Sequence, residues 1–345
     1  MTAMAAAAEL DCDGDPFDLG DDIAYQRWRA AKLATRPRRP EDLVVDVADP
    51  AALSAAERAA LLQRIAACNM AIYRSASVAA DKASARAVGA QFGLHRLDAN
   101  WLADEDGISS ITVSDTHDGR GGFIPYTDRP IKWHTDGYYH PESRRIRAMV
   151  LHCVRPAHSG GVSSLLDHEL AYIAVRDASP RWLQALMAVD AMTIPGRDDE
   201  TGVARAAQSG PVFSVNPQDG ALHMRYTART RSIEWKDDPV TRHAVAFLER
   251  HLADDNPCVL RVRLEAGMGI VANNVLHDRS GFIDDPAAPR LLYRARYLDR
   301  TPGLPDGRCP GARKGLLRSP GPLLRTGEAG STQDLGDESA PWPNG

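Results

Sequence analysis

The sequence predicts an α+β protein with a sheet-rich core, a class indicated by the order and spacing of its segments. Helix-like segments come first, and a long series of short alternating or β-branched segments follows. Short strands at this spacing often close into a barrel or a jelly roll, which the helices would flank. With 345 residues, of which 43% are hydrophobic, the chain can bury a sizeable core in one large domain or two smaller ones.

The first element predicted after residue 40 is a helix in LSAAERAALLQRIAAC. This segment opens with a capping box, Ser54 and Glu57, and carries an apolar stripe at helical spacing. AIYRS predicts a short strand, ADKASARAVGAQFG predicts a helix that ends near Gly93, and ISSITVSD predicts another strand. The later strand candidates share alternation or β-branched residues and are IRAMVLHCV, SSLLD, GALHMRY, CVLRVRL, MGIVANNVLH and RLLYRARYL.

Both ends of the chain differ in composition from the body between them. Residues 1–40 change from acidic to basic around one candidate helix, DIAYQRWRAAKLATR, and we expect a loosely attached N-terminal extension. Residues 301–345 contain 7 Pro and 9 Gly and few large apolar residues. Such a segment cannot bury enough surface to offset its chain entropy, so an irregular C-terminal tail is predicted.

Charge and cysteine usage narrow the class of partner and compartment. The formal net charge is −5 and no polybasic block occurs, which argues against nucleic acid or an anionic membrane as the main partner. A small-molecule ligand is therefore expected, and a homo-oligomer is compatible with the sequence. The five cysteines form no CxxC pair, and neither a signal peptide nor an apolar run of about 18 residues is present, so a cytoplasmic location is expected.

The segment IKWHTDGYYH raises the first question of chemistry. His134 and Asp136 stand two positions apart, and residues at this spacing in a strand point to the same side, so they could reach one metal ion together. The competing pair, His140 with Glu142, has a proline between its members, which is poorly tolerated within a paired strand. Tyr138 and its neighbours either line a substrate mouth or simply pack.

The segment RLLYRARY is the second unusual feature. Alternation puts Arg290, Leu292, Arg294 and Arg296 on one face of a predicted strand. One interpretation is a solvated edge strand. The other is that the arginines face into a barrel, where an unpaired charge would cost several kcal/mol and would require an anionic ligand.

His277, at the end of the apolar segment NNVLHDRSGF, completes a candidate metal site. A lone histidine there is more often a hydrogen-bonded core residue. Together with His134 and Asp136 it supplies two imidazoles and one carboxylate, the facial triad that leaves positions open on Fe(II). The same ligands would also suit a zinc-dependent hydrolase, and a non-catalytic binding protein on the same β-barrel is a third alternative.

Three motifs in this order resemble the taurine dioxygenase and gamma-butyrobetaine hydroxylase group of Fe(II)/2-oxoglutarate-dependent oxygenases, over residues 40 to 298. They are WHTD at 133–136, PAHSGGVSS at 156–164 and VLHDRSGFIDDPAAPR at 275–290. The resemblance implies a single dioxygenase domain over residues 41–300, with a double-stranded β-helix, or jelly-roll, core flanked by helices. It also implies that the enzyme uses O2 to convert 2-oxoglutarate to succinate and CO2 while a small organic substrate is hydroxylated.

The resemblance also implies roles for individual residues. His134, Asp136 and His277 would bind iron, Arg290 would clamp the far carboxylate of 2-oxoglutarate with its planar fork, and Ser163 would touch the same cosubstrate where many relatives have a threonine. Halogenating relatives lack the carboxylate at the position of Asp136, so its presence favours hydroxylation.

An anionic substrate is the expectation for the remaining part of the site. Arg294 matches the position that binds the sulfonate in taurine dioxygenases, and ALHMRYTARTR resembles a pocket-lining segment that brings Arg225 and Arg229 within reach. Tyr138 is the aromatic candidate for the substrate side. The alternative for Arg225 and Arg229 is that they pair with carboxylates of the protein itself.

Overall fold

The computed structural model describes residues 14–76, 81–98, 104, 106–114, 123–199, 202–229, 233–253 and 255–302. Within these ranges the chain forms six α-helices, which are Asp22–Thr35 (α1), Ala55–Cys68 (α2), Lys82–Gln91 (α3), His168–Ala178 (α4), Pro180–Leu186 (α5) and Pro239–His251 (α6). Its first strands are Val44–Asp46 (β1), Met70–Arg74 (β2), Ile108–Ile111 (β3), Ile131–His134 (β4), Ala148–Arg155 (β5), Ser159–Gly160 (β6), Ser163–Leu166 (β7), Met192–Ile194 (β8), Arg197–Asp199 (β9) and Gly202–Arg205 (β10). The later strands are Gln208–Gly210 (β11), Phe213–Val215 (β12), Leu222–Met224 (β13), Glu234–Trp235 (β14), Leu260–Val262 (β15), Met268–Ala272 (β16), Leu276–Arg279 (β17), Phe282–Ile283 (β18) and Leu291–Tyr297 (β19).

Two sheets carry the residues that matter for function. A six-stranded sheet has the order β1-β2-β16-β5-β19-β3, and a four-stranded sheet has the order β15-β7-β17-β4. Neighbouring strands in both sheets are antiparallel except β1 and β2, which are parallel. The predicted mixture of helices with short strands is confirmed. None of the described helices has the length and apolarity that a membrane crossing requires.

Strand alternation divides the core on the two sides of the six-stranded sheet. On one side, Ala71 and Tyr73 of β2 pack with Leu62 of α2 and Val88 of α3. On the other side, Ile72 belongs to a separate cluster that also contains Leu165 and Leu260 of the four-stranded sheet. We call the first the helix-facing cluster and the second the inner cluster. The period of two along β2 therefore decides which side chains meet the helices and which meet the second sheet.

The same alternation answers the question posed by RLLYRARY. Tyr293 and Ala295 of β19 belong to the helix-facing cluster, whereas Leu292 belongs to the inner cluster. Arg290 and Arg296, on the same side as Leu292, are only 6% and 5% exposed. The strand lies between β5 and β3 rather than at an edge. The inward interpretation of the arginines is confirmed, and the solvated edge strand is not.

Local sequence signals place the early helices correctly. In α2, the side chain of Ser54 accepts a hydrogen bond from the Glu57 amide at 3.3 Å, and the Glu57 carboxylate accepts one from the Ser54 amide at 2.7 Å. Both bonds of the predicted capping box are present. Helix α3 ends at Gln91, two residues before Gly93, which has the left-handed φ of 72° that favours glycine.

The N-terminal segment departs from the sequence-based expectation. Phe17, Tyr25 and Trp28 are buried among side chains of α4, α5 and α6, so α1 is part of the core and not a loosely attached extension. Lys32, on the same helix, is buried and forms ion pairs with Asp167, at 2.5 Å, and with Glu169. The acidic residues that flank this segment made it resemble a solvated extension. Its apolar stripe can be recognised as part of the core only from the helices that pack against it. Residues 303–345, where an irregular tail was predicted, lie outside the described residues.

Candidate metal centre

Two strands of the four-stranded sheet bring the three predicted ligands together. His277 of β17 lies directly opposite His134, the last residue of β4, and Asp136 follows two residues later. One ligand atom from each of the three residues lies within 4.8 Å of the others, and the two imidazole centroids are 4.2 Å apart. In the described part of the chain, this is the one group of three or more His, Cys, Asp or Glu side chains with metal-binding spacing.

Hydrogen bonds set the orientation of both imidazoles. Nδ1 of His134 lies 2.9 Å from the carbonyl oxygen of Lys132, and Nδ1 of His277 lies 2.9 Å from that of Val275. A carbonyl oxygen can only accept, so Nδ1 donates in each ring and Nε2 keeps its lone pair free for a metal ion. Burial, reinforced by the nearby His277, lowers the pKa of His134 to about 3, which keeps this ring neutral.

Asp136 supplies the anionic ligand. Burial raises the pKa of this carboxyl, but the positive charges of Arg294 and Arg296 outweigh burial and hold the pKa below its ordinary value. Oδ1 lies 3.3 Å from Nη1 of Arg294 and 3.9 Å from Nη1 of Arg296. Oδ2 is buried and has no hydrogen-bond partner among the described residues. An unsatisfied buried carboxylate oxygen beside two free Nε2 atoms is a donor set that fits Fe(II).

Asn274 holds Asp136 in place, a role that the sequence analysis missed. Its side-chain oxygen accepts from the amide of Asp136 at 2.8 Å, and its Nδ2 donates to the carbonyl oxygens of Asp136 at 2.9 Å and of Ile146 at 2.8 Å. Asn274 has φ = 51°, a left-handed conformation that asparagine tolerates better than most residues. The Asn-Asn pair before VLH was the available signal, but its partner lies 138 residues away in the sequence.

The two residues predicted to bind 2-oxoglutarate line one cavity. Arg290 and Ser163 share it with Gly160, Gly161 and Leu292, among others. Ser163 lies opposite Arg279 on β17, two residues from His277, which corresponds to about 7 Å along a strand. The cavity is therefore adjacent to the metal centre.

The Arg290 guanidinium is a buried cation without a partner. It lies over the ring of Phe282, 5.1 Å from the centroid, and no described residue accepts a hydrogen bond from it or forms an ion pair with it. Burial lowers its pKa to about 10. Nearby Cys153 and Asp284 oppose this shift, but neither forms an ion pair with Arg290. A buried charge without an ion-pair partner in the lining of a cavity indicates a site for an anionic ligand.

Arg294 and Tyr138, predicted on the substrate side, border the metal centre. Besides the contact of Arg294 with Asp136, its Nε atom is buried and finds no partner in the described ranges. The ring of Tyr138 meets the ring of His134 edge to face, with centroids 6.5 Å apart. Both side chains therefore contact metal ligands, and their substrate roles stay predictions.

Arg225 and Arg229, for which substrate roles were predicted, lie in different surroundings. The Arg225 guanidinium donates to the carbonyl oxygens of Tyr138 at 2.7 Å, Met192 at 3.0 Å and Gln208 at 2.6 Å. It thus fixes the backbone beside the site, and the carboxylate partners considered for it are not what it contacts. Arg229 is exposed, and no contact links its side chain to the metal ligands in the described ranges. Its substrate role stays a prediction.

The competing ligand pair, His140 with Glu142, does not form a site. Nε2 of His140 lies 3.2 Å from the Asp98 carboxylate, whereas Glu142 is exposed and faces Arg145. Asp98 also accepts from Arg296 at 2.6 Å. Burial raises the pKa of Asp98, but its hydrogen bond with His140 and the charge of Arg296 lower it to about 2. No local pattern of residues pointed to Asp98, which neutralises the innermost arginine of β19.

Comparison with known proteins assigns the chain to a family. A profile of the family described as "Taurine catabolism dioxygenase TauD, TfdA family" matches residues 31–296. A uridine-5'-phosphate dioxygenase from an Amycolatopsis species is 35% identical over 176 residues, which are 48% of this chain and 60% of that protein. A uridine-5'-phosphate dioxygenase from a Streptomyces species is 28% identical over 222 residues, or 62% and 78%. The chain thus matches less than two thirds of the length of the Amycolatopsis relative.

Solved structures share the fold at lower identity. Asparagine oxygenase in complex with Fe(II), 2S,3S-3-hydroxyasparagine and succinate has a TM-score of 0.52 and 15% identity, covering 84% of this chain and 86% of its own. The non-heme iron oxygenase OrfP, in complex with Fe, succinate and (3S)-hydroxy-L-Arg, has a TM-score of 0.52 and 16% identity, covering 72% and 81%. A taurine dioxygenase from Burkholderia xenovorans has a TM-score of 0.50 and 21% identity, covering 81% and 96%.

Proposed function

Since this chain belongs to the TauD, TfdA family of dioxygenases, we propose that it is an Fe(II)- and 2-oxoglutarate-dependent dioxygenase that hydroxylates a small anionic molecule. The observation that carries the proposal is the convergence of His134, Asp136 and His277 near a cavity that is lined by Arg290, a buried cation without an ion-pair partner among the described residues. Iron held by these three side chains would supply the activation of O2, coupled to the decarboxylation of 2-oxoglutarate to succinate and CO2.

The protein's own side chains prepare this chemistry. His134 and His277 present unprotonated Nε2 atoms, because their Nδ1 atoms donate to backbone carbonyls. Asp136 keeps Oδ2 for the ion, because Arg294 and Arg296 lie on the side of Oδ1. All three ligands are thus oriented before a metal ion arrives, which reduces the reorganisation that binding requires.

Arg290 and Ser163 would bind the cosubstrate. The guanidinium fork of Arg290 can hold a carboxylate through two parallel hydrogen bonds, and the Ser163 hydroxyl can donate one more. The separation of about 7 Å along β17 between the level of His277 and that of Ser163 suits a five-carbon dicarboxylic acid with one end at the metal. Binding would neutralise the buried cation, so the cosubstrate would replace an unfavourable charge by a satisfied pair.

We propose a phosphorylated molecule as the prime substrate, with uridine 5'-phosphate as the first candidate to test. The support is the name of the two relatives together with the buried, unpartnered Nε of Arg294 beside Asp136. An arginine that lacks a complete set of partners next to the reacting centre suits a phosphate oxygen. Tyr138, against the ring of His134, would pack against the uncharged part of the same molecule.

Several broader features complete the proposal. The six-stranded and four-stranded sheets would be the two halves of a double-stranded β-helix.

The absence of a polybasic block from the sequence favours a small molecule over nucleic acid or a membrane as the partner. The buried cysteines Cys68 and Cys153 are not disulfide-bonded, which favours the reducing cytoplasm. A homo-oligomer remains compatible with this arrangement.

A metal and cosubstrate titration tests the proposed function. We expect the purified chain to bind one equivalent of Fe(II) and, under anaerobic conditions, to develop visible absorbance when 2-oxoglutarate is added. With oxygen and uridine 5'-phosphate, it should form succinate. A zinc-dependent hydrolase would use the same three ligands but would give Arg290 no role, and it would consume no 2-oxoglutarate. Stoichiometric zinc with no succinate under any condition would refute the proposal.

A further inference from the structure

The hairpin of β9 and β10 carries two arginines directly opposite each other. The register of the pair sets Arg205 against Arg197, so both side chains emerge at the same level of the hairpin. Like charges in directly opposite positions destabilise a pair of strands. An anion bound between the two side chains would offset this repulsion.

Aromatic residues connect this hairpin to the metal centre. The Arg205 guanidinium lies 5.8 Å from the ring centroid of Tyr139, and the Arg197 guanidinium lies 5.8 Å from that of Phe123. The ring of Tyr139 contacts the ring of Tyr138, with centroids 5.2 Å apart, and Tyr138 in turn contacts His134. Arg205 therefore stands at the rim of the metal centre, separated from His134 by two tyrosine rings, and Arg197 lies opposite it in the hairpin.

Neither arginine of this pair has an ion-pair partner among the side chains that the structure describes, which do not include those of residues 198–200. Nη2 of Arg205 donates to the carbonyl oxygen of Pro195 at 2.6 Å, whereas its Nη1 is buried and has no acceptor. Burial lowers the pKa of Arg205, and the charge of Arg197 contributes in the same direction. A third arginine close by, Arg225, donates to backbone carbonyls and adds to the positive potential.

We propose that Arg197 and Arg205 form an anion-binding site at the rim of the metal centre, which takes a phosphoryl group of the substrate. This inference rests on the proposed function and adds a second anion-binding position to that of Arg294. Two guanidinium groups side by side match the several oxygens of a phosphoryl group better than a single carboxylate. Each guanidinium already lies over an aromatic ring, Phe123 for Arg197 and Tyr139 for Arg205, which limits its freedom before the ligand binds.

Calorimetric titration of the full chain tests this site. The protein is loaded with Fe(II) and 2-oxoglutarate without oxygen and titrated separately with uridine 5'-phosphate, uridine and inorganic pyrophosphate. We expect uridine 5'-phosphate to bind and uridine to bind far more weakly. Arg205→Gln should weaken uridine 5'-phosphate binding by about 10- to 100-fold, the usual effect of losing hydrogen bonds to a charged group. Arg205→Lys, which keeps the charge without the fork, should weaken it less.

Matched variants distinguish loss of the anion site from loss of the fold. Arg181→Gln removes an exposed arginine of α5 and should leave uridine 5'-phosphate binding unchanged. Binding of 2-oxoglutarate by Arg205→Gln and Arg197→Gln shows that these variants are folded. If pyrophosphate binds wild type and not Arg205→Gln while uridine 5'-phosphate does not bind at all, the anion site is supported and its ligand is another phosphorylated compound.

Three results would overturn the inference. One is wild-type affinity for the phosphorylated probes in the double variant Arg197→Gln, Arg205→Gln. Another is loss of binding in Arg294→Gln together with wild-type binding in Arg205→Gln, which would place the phosphoryl group at Arg294 alone. The third is failure of wild type to bind either uridine 5'-phosphate or pyrophosphate. Failure of the proposed function is a different observation, namely the absence of succinate formation, which the anaerobic titration does not measure.

Discussion

Replacement of Arg290 by methionine should separate cosubstrate binding from folding stability. Methionine keeps much of the buried apolar stem and removes the charge. Arg290 is 6% exposed, and its guanidinium forms no hydrogen bond or ion pair with the described residues. Its removal therefore breaks no such bond and takes away only the longer-range attraction to Asp284. We therefore expect a folded variant with impaired binding of 2-oxoglutarate.

The magnitude follows from the buried charge. Burial lowers the pKa of Arg290 from 12.5 to about 10. At about 1.4 kcal/mol for each pKa unit, the unpaired cation destabilises the ligand-free protein by about 3 kcal/mol. Because the pKa in the folded state lies below that in the unfolded state, this destabilisation is present at every pH below about 10 and fades at higher pH. Arg290→Met should thus leave the free energy of unfolding equal to that of wild type or raise it.

Binding should change in the opposite direction. Loss of one member of a buried charge pair costs about 2 to 5 kcal/mol, so 2-oxoglutarate affinity should fall by at least about 30-fold. At a 2-oxoglutarate concentration about 100 times the wild-type Kd, the ligand stabilises wild type by about 2.7 kcal/mol. The same concentration should stabilise a variant with about 30-fold weaker binding by only about 0.9 kcal/mol.

Chemical denaturation with and without 2-oxoglutarate, in the presence of Fe(II) and absence of oxygen, measures both quantities. Arg263→Met is the matched control, because Arg263 lines the same cavity but already donates to the Ala157 carbonyl oxygen at 2.6 Å and lies 3.6 Å from Glu265. Its effect on cosubstrate affinity should be smaller. Wild-type affinity in Arg290→Met, or a loss of more than about 2 kcal/mol of stability without ligand, would refute the reasoning, because either result would mean that the charge is compensated in the ligand-free protein.

Three further perturbations probe other parts of the structure. His277→Ala should abolish stoichiometric Fe(II) binding in a metal titration, whereas His243→Ala, on the exposed side of α6, should retain it. Asn274→Ala should lower the free energy of unfolding in urea by about 1 to 3 kcal/mol and weaken Fe(II) binding, since it leaves buried backbone groups unpaired. Wild-type values for both quantities would show that Asn274 does not position Asp136. Lys32→Met should lower the free energy of unfolding by about 3 to 5 kcal/mol, because it leaves the buried carboxylates of Asp167 and Glu169 without their ion-pair partner. In wild type, burial opposes ionisation of Glu169, but the Lys32 charge lowers the pKa of Glu169 to about 2. The ionised Glu169 therefore stabilises the fold above about pH 4, and this stabilisation is lost towards pH 2. Unfolding free energies measured from about pH 3 to 7 should lack this acid-dependent loss in Lys32→Met.

Much of the metal centre could be predicted because its signals are local. The spacing of His134 and Asp136 is a property of one strand and its continuation, and alternation in RLLYRARY settles which residues share a face. Alternation left two interpretations of this strand open, and the helices that cover its apolar side decided between them. The order of three motifs, and the family that they resemble, linked these segments to His277. Periodicity and motif order are both contained in the sequence.

Contacts between distant segments could not be predicted in this way. The N-terminal helix was expected to be a loosely attached extension. That expectation was wrong because the residues that bury Tyr25 and Trp28 lie far away in the sequence, in α4 to α6. For Arg225 the sequence offered a substrate or carboxylate partners, and the carbonyl oxygens that it contacts come from three separate segments. In both cases the contacting residues are distant in the sequence, so the local pattern of residues does not indicate them.

Arg290 and Arg296 show where the sequence by itself stops. Alternation determined that both lie on the inner face of one strand, and both are almost fully buried. Only the tertiary structure decided that Arg296 is neutralised by Asp98, 198 residues away, while Arg290 has no partner among the described residues and lies beside a cavity. The physical reason is that backbone periodicity fixes the direction of a side chain, whereas its electrostatic partner is set by how remote segments pack against that face.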